Sequence, residues 1–525
     1  MKTNSQIILC KNIKMDKNYN NVLNYSEASL LSVCEANKLE KANNYSFVKP
    51  NGTTIDVSFS YSICLKANYI AFQNPYYDNK WFFAFVDSVE YRNDSLTRIT
   101  FTIDVFSTWF NKITLQTCYV EREHVIDDTI GLHTIPENIE TGEYKAQSND
   151  YFTSFKGDYV IVMGSTIDPS LDSTGKLVGG NNGGGVYGGV KTAYSYYSFL
   201  PTTDTLTKVL KAFEDAGKSS AIGCLFMIPR SFITADSTLD LDNYLIPNNQ
   251  NSMNYVWTLN RPTSIDGYKP KNNKLYTYPY CYLYITNNNG GNAIYHYEKF
   301  DNDVSFVAHG IITPSGSSHL YPRKYNGIEN NYSEMLSGAK YPICGYKSDV
   351  YINWLRQNGL NIATNVITSA MQSLSGVAML GSGGTAMAGA GNISSGLLGI
   401  SNTLTEIYKH SLIPPQAEGN INTGDVNYAN KLNTFYANMM TIKKEYAKVI
   451  DNYFSMFGYK VNEVKIPNLD GRSNWNYVKT IDCNFTGEMA SNDLDTIRQV
   501  FDRGVTIWHN YETMLNYNVL NTITI

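Results

Sequence analysis

At 525 residues the chain is too long for one ordinary hydrophobic core, so several domains are expected. Charged residues make up only 17%, below the roughly 25% typical of soluble domains, while Tyr (41) and Phe (22) are abundant, a surface suited to assembly with copies or partners. A formal net charge of -5 argues against a sequence-reading DNA binder held by phosphate contacts, and eight cysteines with no C-x-x-C pair or Cys/His cluster read as reduced, mostly buried thiols rather than a disulfide framework or a zinc site.

The N-terminal MKTNSQIILCKNIKMDKN has an apolar run too short for a signal peptide, and charges follow it at once, so synthesis and assembly in the cytoplasm are expected. Residues 55–63 alternate, Ile55, Val57, Phe59, Tyr61 and Ile63 against Asp56, Ser58, Ser60 and Ser62, which predicts a half-buried antiparallel strand. The runs Trp81 to Tyr91 and Arg98 to Phe106 flank the turn Asn93-Asp94-Ser95 and predict a hairpin; a strand through Thr117 to Val120 leads into Glu121-Arg122-Glu123-His124. Residues 1–125 thus read as one β domain.

From 126 to 345 short apolar runs (Tyr159 to Met163, Ile222 to Ile228, Tyr280 to Ile285) stand between Asn/Gly/Pro/Ser-rich connections, a β-rich region with long loops. The glycine tract Gly179 to Gly189 is not a phosphate-cradling loop, because no Gly-Lys-Ser/Thr ends it; a mobile loop is expected.

Residues 346–425 hold the least ordinary stretch. Ser348-Asp349 can cap a short helix through Trp354 and Leu355, and between Arg356 and Glu406 there is no Asp, Glu, Lys, Arg or His. A Gly/Ala tract, Gly381 to Gly391, divides this stretch into two arms, the outline of a hairpin, and so long an uncharged segment is either buried in an assembly or meant for a membrane. In the first arm Asn361, Asn365, Thr368, Gln372 and Ser375 form a polar stripe away from Ile362, Val366, Ile367, Leu374 and Val377, with Met379 and Leu380 running towards the tip and Met387 within it. In the second, Ile393, Leu397, Leu398, Ile400 and Leu404 are the apolar positions, with Asn392, Ser395 and Asn402 as the polar ones. An arm of ~20 residues, if helical, reaches about 30 Å, close to the hydrocarbon thickness of a bilayer. Small residues at Gly391, Ser395 and Gly399 would let neighbouring helices approach closely. A dry plug would use the same residues; the helical pattern and hairpin length favour insertion.

The hairpin closes at Pro414-Pro415, and a Gly/Asn-rich linker runs to Gly424. In residues 426–525, Leu432, Phe435, Met439, Ile442, Tyr446, Val449, Tyr453 and Met456 follow steps of three and four, predicting one long helix capped at Gly458. Strands are expected over Val461 to Ile466 and Trp475 to Phe485, then a helix with Asn492 as N-cap, a face of Leu494, Ile497, Val500 and Phe501 and a stop at Gly504, and a last strand Val505 to Trp508. The fold class is mainly β, with an α+β C-terminal unit and a long apolar hairpin loop.

The familiar catalytic patterns are missing from the sequence. The seven histidines are scattered, with no H-E-x-x-H and no i, i+4 pair, and there is no G-x-S-x-G. The carboxylates Asp127-Asp128 and Glu121/Glu123 read as solvated loop charges rather than a glycosidase pair. No enzyme activity, metal or cofactor is expected.

The blocks NPYYDNKWFFAFVDSVEY (74 to 91), FTIDVFSTWF (101 to 110) and VEREHV (120 to 125), followed in order by KKEYAKVIDNYFSMFGYKVNEVKIPNL (443 to 469), NWNYVKTIDC (474 to 483) and NDLDTIRQVFDRGVTIWH (492 to 509), resemble the tail knob, or distal tube, proteins of small short-tailed phages, the picovirus group infecting Gram-positive bacteria. The uncharged stretch before Pro414-Pro415-Gln416 is similar to that family's long loop, while the middle region, 126 to 345, departs most. The resemblance implies tail-tube-like β domains assembled as a homohexamer at the virion tail tip, in contact with other tail proteins on the connector side. It also implies double-stranded DNA passing through the lumen without sequence-specific binding. Long loops would plug the mouth and then enter the host cytoplasmic membrane as a pore. A host-surface adhesin of the tail is the alternative, favoured by abundant Tyr and Asn, and a wall hydrolase comes third.

Overall fold

Strands Lys80–Asn93 and Leu96–Ile103 pair antiparallel with Asn93 opposite Leu96, the hairpin that the alternation about Asn93-Asp94-Ser95 predicts. In a computed structural model, the structure describes residues 5–45, 53–75, 77–155, 159–167, 184–187, 189–199, 221–233, 255–344 and 432–524, with isolated positions between 177 and 218. These fall into two units. One gathers Met1–Glu143, Gly267–Thr277 and Lys443–Ile525; the other gathers Tyr144–Asp266 and Tyr278–Ile442.

In the first unit the hairpin belongs to a six-stranded sheet, in the order Lys38–Tyr45, Ser5–Cys10, Tyr69–Asn74, Lys80–Asn93, Leu96–Ile103, Thr54–Val57. Both faces are covered, which is why Trp81-Phe82-Phe83-Ala84-Phe85 is apolar without interruption. The period of two sends Ile7, Leu9, Ile70, Phe72, Phe82 and Ala84 into one cluster and Ile8, Cys10, Tyr69, Ala71, Phe83 and Phe85 into another. The second cluster takes in Trp475 and Trp508 from a five-stranded sheet ordered Asn21–Leu23, Val505–Trp508, Trp475–Ile481, Cys118–Glu123, Tyr459–Lys465. The first two of these strands are parallel, so residues near both ends of the chain share one ladder.

Several local expectations need correction. Residues 55–63 are not one strand: Thr54–Val57 pairs at the sheet edge, and helix Tyr61–Cys64 follows, with the N–H groups of Ile63 and Cys64 both bonded to the Ser60 carbonyl. Alternation alone does not hold a strand whose partner ends at Thr97, opposite Val57. The long helix from Leu432 to Met456 is half strand: Tyr436–Ile442 is a central strand and only Lys444–Phe457 is helical. Ladder bonds on both sides outweigh the 3.6-residue pattern there. The buried helix face is also displaced from the expected seam, to Ala447, Ile450, Asp451 and Phe454, leaving Tyr446 and Val449 exposed. Helix Ser491–Arg503 starts behind Ala490, which makes no side-chain cap, and Asn492 lies within its first turn. Gly458 and Gly504 do end their helices, at φ +64° and +98°.

The second unit is built of antiparallel sheets. One has the order Tyr144–Tyr151, Tyr436–Ile442, Cys281–Thr286, Asn292–Tyr295; another Ser195–Phe199, Tyr159–Ser165, Ile222–Pro229, Ile343–Cys344. A third runs Tyr255–Leu259, Phe300–Gly310, Ser317–Tyr325, Ile328–Asn330, with Leu336–Lys340 also paired to Ser317–Tyr325. Rings of Phe152, Phe155, Phe232, Tyr255, Trp257 and Phe435 contact one another in its core. Part of the glycine tract expected as a mobile loop is a two-stranded hairpin, Gly185–Tyr187 with Val190–Thr192.

Candidate functional site

The residues expected to insert or to line a pore, from Asn361 through Leu404, lie outside the described residues, as do the helix cap at Ser348-Asp349 and the Pro414-Pro415 stop. The described chain stops at Cys344 and resumes at Leu432. On resumption it is held at once: Thr434 Oγ1 donates to the Phe152 carbonyl at 2.6 Å, and Phe152 N donates to the Phe435 carbonyl at 2.9 Å. Asn433, Thr434 and Phe435 are all buried. Among the described residues no helix is long and apolar enough to cross a membrane, and no group of three or more His, Cys, Asp or Glu is placed to hold a metal.

A cluster of buried charges lies in the first unit, where segment Gly267–Thr277 meets helix Lys444–Phe457 and strands Cys118–Glu123 and Tyr459–Lys465. Asp451 is fully buried on the apolar face of its helix. Its carboxylate accepts from Tyr268 Oη at 2.6 Å, Lys271 N at 2.9 Å and, at Oδ1, from Asn272 N at 3.0 Å and Nδ2 at 2.8 Å. Four donors replace the water that burial removes. Burial, and then the hydrogen bond to Asp451, push the Tyr268 phenol above its ordinary range.

Beside this clamp, the side chain of Glu137 is fully buried between Arg122 and Lys274, ion-paired to both, and accepts from Lys460 N at 3.0 Å. Arg122 also donates to the Gly458 carbonyl at 2.7 Å and lies over the Tyr453 ring, and Lys274 lies over the Tyr459 ring. Burial lowers the Lys274 ammonium from its ordinary value, against the pull of Glu137. Asp128 accepts from Asn273 N at 2.9 Å and Tyr459 Oη at 2.6 Å, and its carboxyl is raised by burial.

His124 closes the group. Its Nδ1 accepts from Tyr477 N at 2.8 Å and its Nε2 faces the Ser455 carbonyl at 3.2 Å, so the neutral Nε2–H tautomer satisfies both nitrogens. Burial, then the neighbouring Arg472, depress its pKa from 6.5 to about 3.

The carboxylates read as solvated loop charges are therefore divided. Asp127 does accept from its own loop, at Thr129, whereas Asp128 is occupied as described and Glu123 is buried, paired with Lys465 and bonded by Asn468 N at 2.9 Å. Glu121 pairs with Lys479 at 2.7 Å. Every one is engaged by a protein donor, and Asp128 and Glu123 fasten separate chain segments together. Sequence reasoning passed over Glu137, Lys274 and Asp451. A readable signal existed for Asp451 alone: one acid among Ala447, Ile450 and Phe454 at helical spacing.

The family described as the C-terminal domain of the Bacillus phage phi29 tail knob protein gp9 matches residues 245–522, more than half of the chain, and the caudoviral major tail protein N-terminus matches residues 3–114. The chain is 26% identical to the tail knob protein gp9 of Bacillus phage PZA and 25% identical to that of Bacillus phage phi29, in each case over 90% of this chain and 90% of the relative. Its structure is similar to that of the bacteriophage C1 tail knob protein gp12, with a TM-score of 0.64 at 16% identity, covering 99% of this chain and 100% of that one, a likeness of fold.

Proposed function

This chain belongs to the phage tail knob protein family, virion structural components of short-tailed phages, and from that premise we propose that it forms a homohexameric distal tube that conducts double-stranded DNA into the host. The match of residues 3–114 to a major tail protein N-terminus supports a tube-wall role for the N-terminal β domain, 1–125. Residues 426–525 complete the wall, 126–345 form a β-rich region with long loops, and 346–425 form the loop. With a net charge of -5, the lumen lets DNA slide past a weakly repulsive wall.

One observation carries the loop's role: the absence of any charged or histidine side chain between Arg356 and Glu406. Packed inside the tube this stretch is the plug; laid into the host cytoplasmic membrane it turns Val366, Ile367, Leu374, Leu397 and Ile400 to lipid, and Asn365, Thr368, Gln372, Asn392 and Asn402 to water. Purified protein should show six-fold rings in micrographs and release dye from liposomes, and deletion of 361–408 should abolish release while preserving rings. Equal leakage from the deletion would overturn the pore reading.

A tail adhesin is the second reading, favoured by an aromatic surface on the second unit: Tyr278, 44% exposed, stacks on His296 at 4.2 Å, with Tyr282 5.9 Å from Tyr278 and Tyr144 5.5 Å from Tyr282. Saturable binding of purified protein to host cell walls would support it, and absence of such binding would remove it.

A further inference from the structure

His309 and His319 stand directly opposite each other in the antiparallel pair Phe300–Gly310 and Ser317–Tyr325, on one face of the sheet. Their ring centroids are 5.5 Å apart with planes inclined at 51°, and the Tyr321 ring, 5.5 Å from His309, backs the pair. Both side chains are half-buried. His319 is steadied by two hydroxyls, Ser337 Oγ at 3.2 Å from Nδ1 and Ser317 Oγ at 3.5 Å from Nε2. His309 Nδ1 is buried without a hydrogen-bond partner. Each hydroxyl can donate or accept, so the partners hold the His319 ring without demanding that it be charged.

We propose that His309 and His319 form a two-imidazole site for a divalent transition-metal ion of the Cu2+, Ni2+, Zn2+ series, which staples the two strands together. Imidazole nitrogen is a preferred donor for these ions, whereas Mg2+ and Ca2+ select oxygen ligands. An imidazole binds metal through an unprotonated ring nitrogen, which a neutral ring always offers. One serine hydroxyl keeps the outer-shell role that orients a ligating ring, and the ion displaces the other from the second His319 nitrogen. With two protein ligands where closed structural sites take four, affinity is moderate, water completes the shell, and Cu2+ binds more tightly than Ni2+ or Zn2+. The site is independent of the tube and pore reading.

Titration of the full chain with Cu2+ should show one such site per chain, with two imidazole nitrogens in the electron paramagnetic resonance spectrum, and saturating Ni2+ should raise the melting temperature where Mg2+ does not. His309→Gln and His319→Gln should each weaken binding by about tenfold or more, the scale on which even outer-shell partners act, while His133→Gln should leave it unchanged. A second measurement uses the unaltered protein: Zn2+ should protect the peptides carrying His309 and His319, and no other described histidine, from carbethoxylation. Binding that survives either substitution, or protection that falls on other histidines, overturns the proposal.

Discussion

Asn272 reaches Asp451 three times, through its backbone N–H to Oδ1 at 3.0 Å, through Nδ2 to the same oxygen at 2.8 Å and through Nδ2 to the Asp451 carbonyl at 3.0 Å. Segment Gly267–Thr277 is thereby fastened to helix Lys444–Phe457 by a carboxylate rather than by apolar packing alone. Asp451→Ala strands those donors in a dry site and should cost about 3–5 kcal/mol of unfolding free energy. Asp451→Asn keeps the shape but turns an amide N–H towards other donors, and should cost roughly 2 kcal/mol. Denaturant unfolding of both variants checks the order; stabilities equal to that of the wild type would mean the carboxylate contributes nothing.

Glu137 serves two cations, so the members of its cluster are not equivalent. Glu137→Gln leaves Arg122 and Lys274 buried without a counter-charge and should destabilise by about 3–5 kcal/mol. Lys274→Met leaves Glu137 still paired with Arg122 and should cost less, roughly half as much. Thermal melts ranking Lys274→Met below Glu137→Gln in stability would contradict this account.

His124 makes stability pH-dependent. Its folded pKa, about 3, lies below the ordinary 6.5, so between those values the unfolded chain binds a proton that the folded chain does not. This contribution is complete above pH 6.5 and is lost as pH falls towards 3, at up to ~1.4 kcal/mol per pH unit. From pH 7 to pH 5 the wild-type chain should therefore lose about 2 kcal/mol more than His124→Gln. Parallel stability curves for the two proteins would exclude His124 as the source.

Gly458 ends helix Lys444–Phe457 at φ +64° and ψ -155°, and a Cβ there would fall 2.1 Å from the Glu123 carbonyl oxygen. Only glycine takes this conformation without strain. Gly458→Ala should destabilise by about 3 kcal/mol or more and lower the yield of soluble protein, read by denaturant unfolding and gel filtration.

For the proposed pore, replacing Asn365, Thr368 and Gln372 together by Leu removes the polar stripe of the first arm while leaving its apolar face. Liposome binding should persist and ion conductance in planar bilayers should fall at least about tenfold, because water loses its hydrogen-bonding wall. Undiminished conductance would detach the stripe from the channel.

Where sequence and structure agree, a short-range rule was enforced by burial. Trp81 to Phe85 reads correctly because the sheet is covered on both faces there, and the alternation through Ile99 and Phe101 because one face of that strand is buried. The strands near Tyr159 and Ile222 were legible as mostly buried apolar runs, and the strand near Cys281 through its one buried face. Tyr436–Ile442 was not, because Met439 and Ile442 also satisfy a helical spacing and only its partners, Tyr144–Tyr151 and Cys281–Thr286, decide between the two. The buried charges escaped notice for a related reason. Glu137 and Lys274 pair across residues far apart in the chain, and His309 meets His319 only through strand register, so no local spacing announces either.

That strand placement also sets how late in synthesis the sheet can close. Tyr436–Ile442 fills the space between two strands that leave the ribosome earlier, Tyr144–Tyr151 and Cys281–Thr286. With strands about 4.8 Å apart, a nascent chain that has not reached residue 436 has a gap of about 10 Å in that sheet, bordered on both sides by unpaired backbone groups. Closure waits until the entire uncharged stretch has been synthesised. The sheet is completed at its middle, by the strand made last, and a translational pause or truncation before residue 436 would yield a sticky, open-edged intermediate in place of a nearly complete subunit.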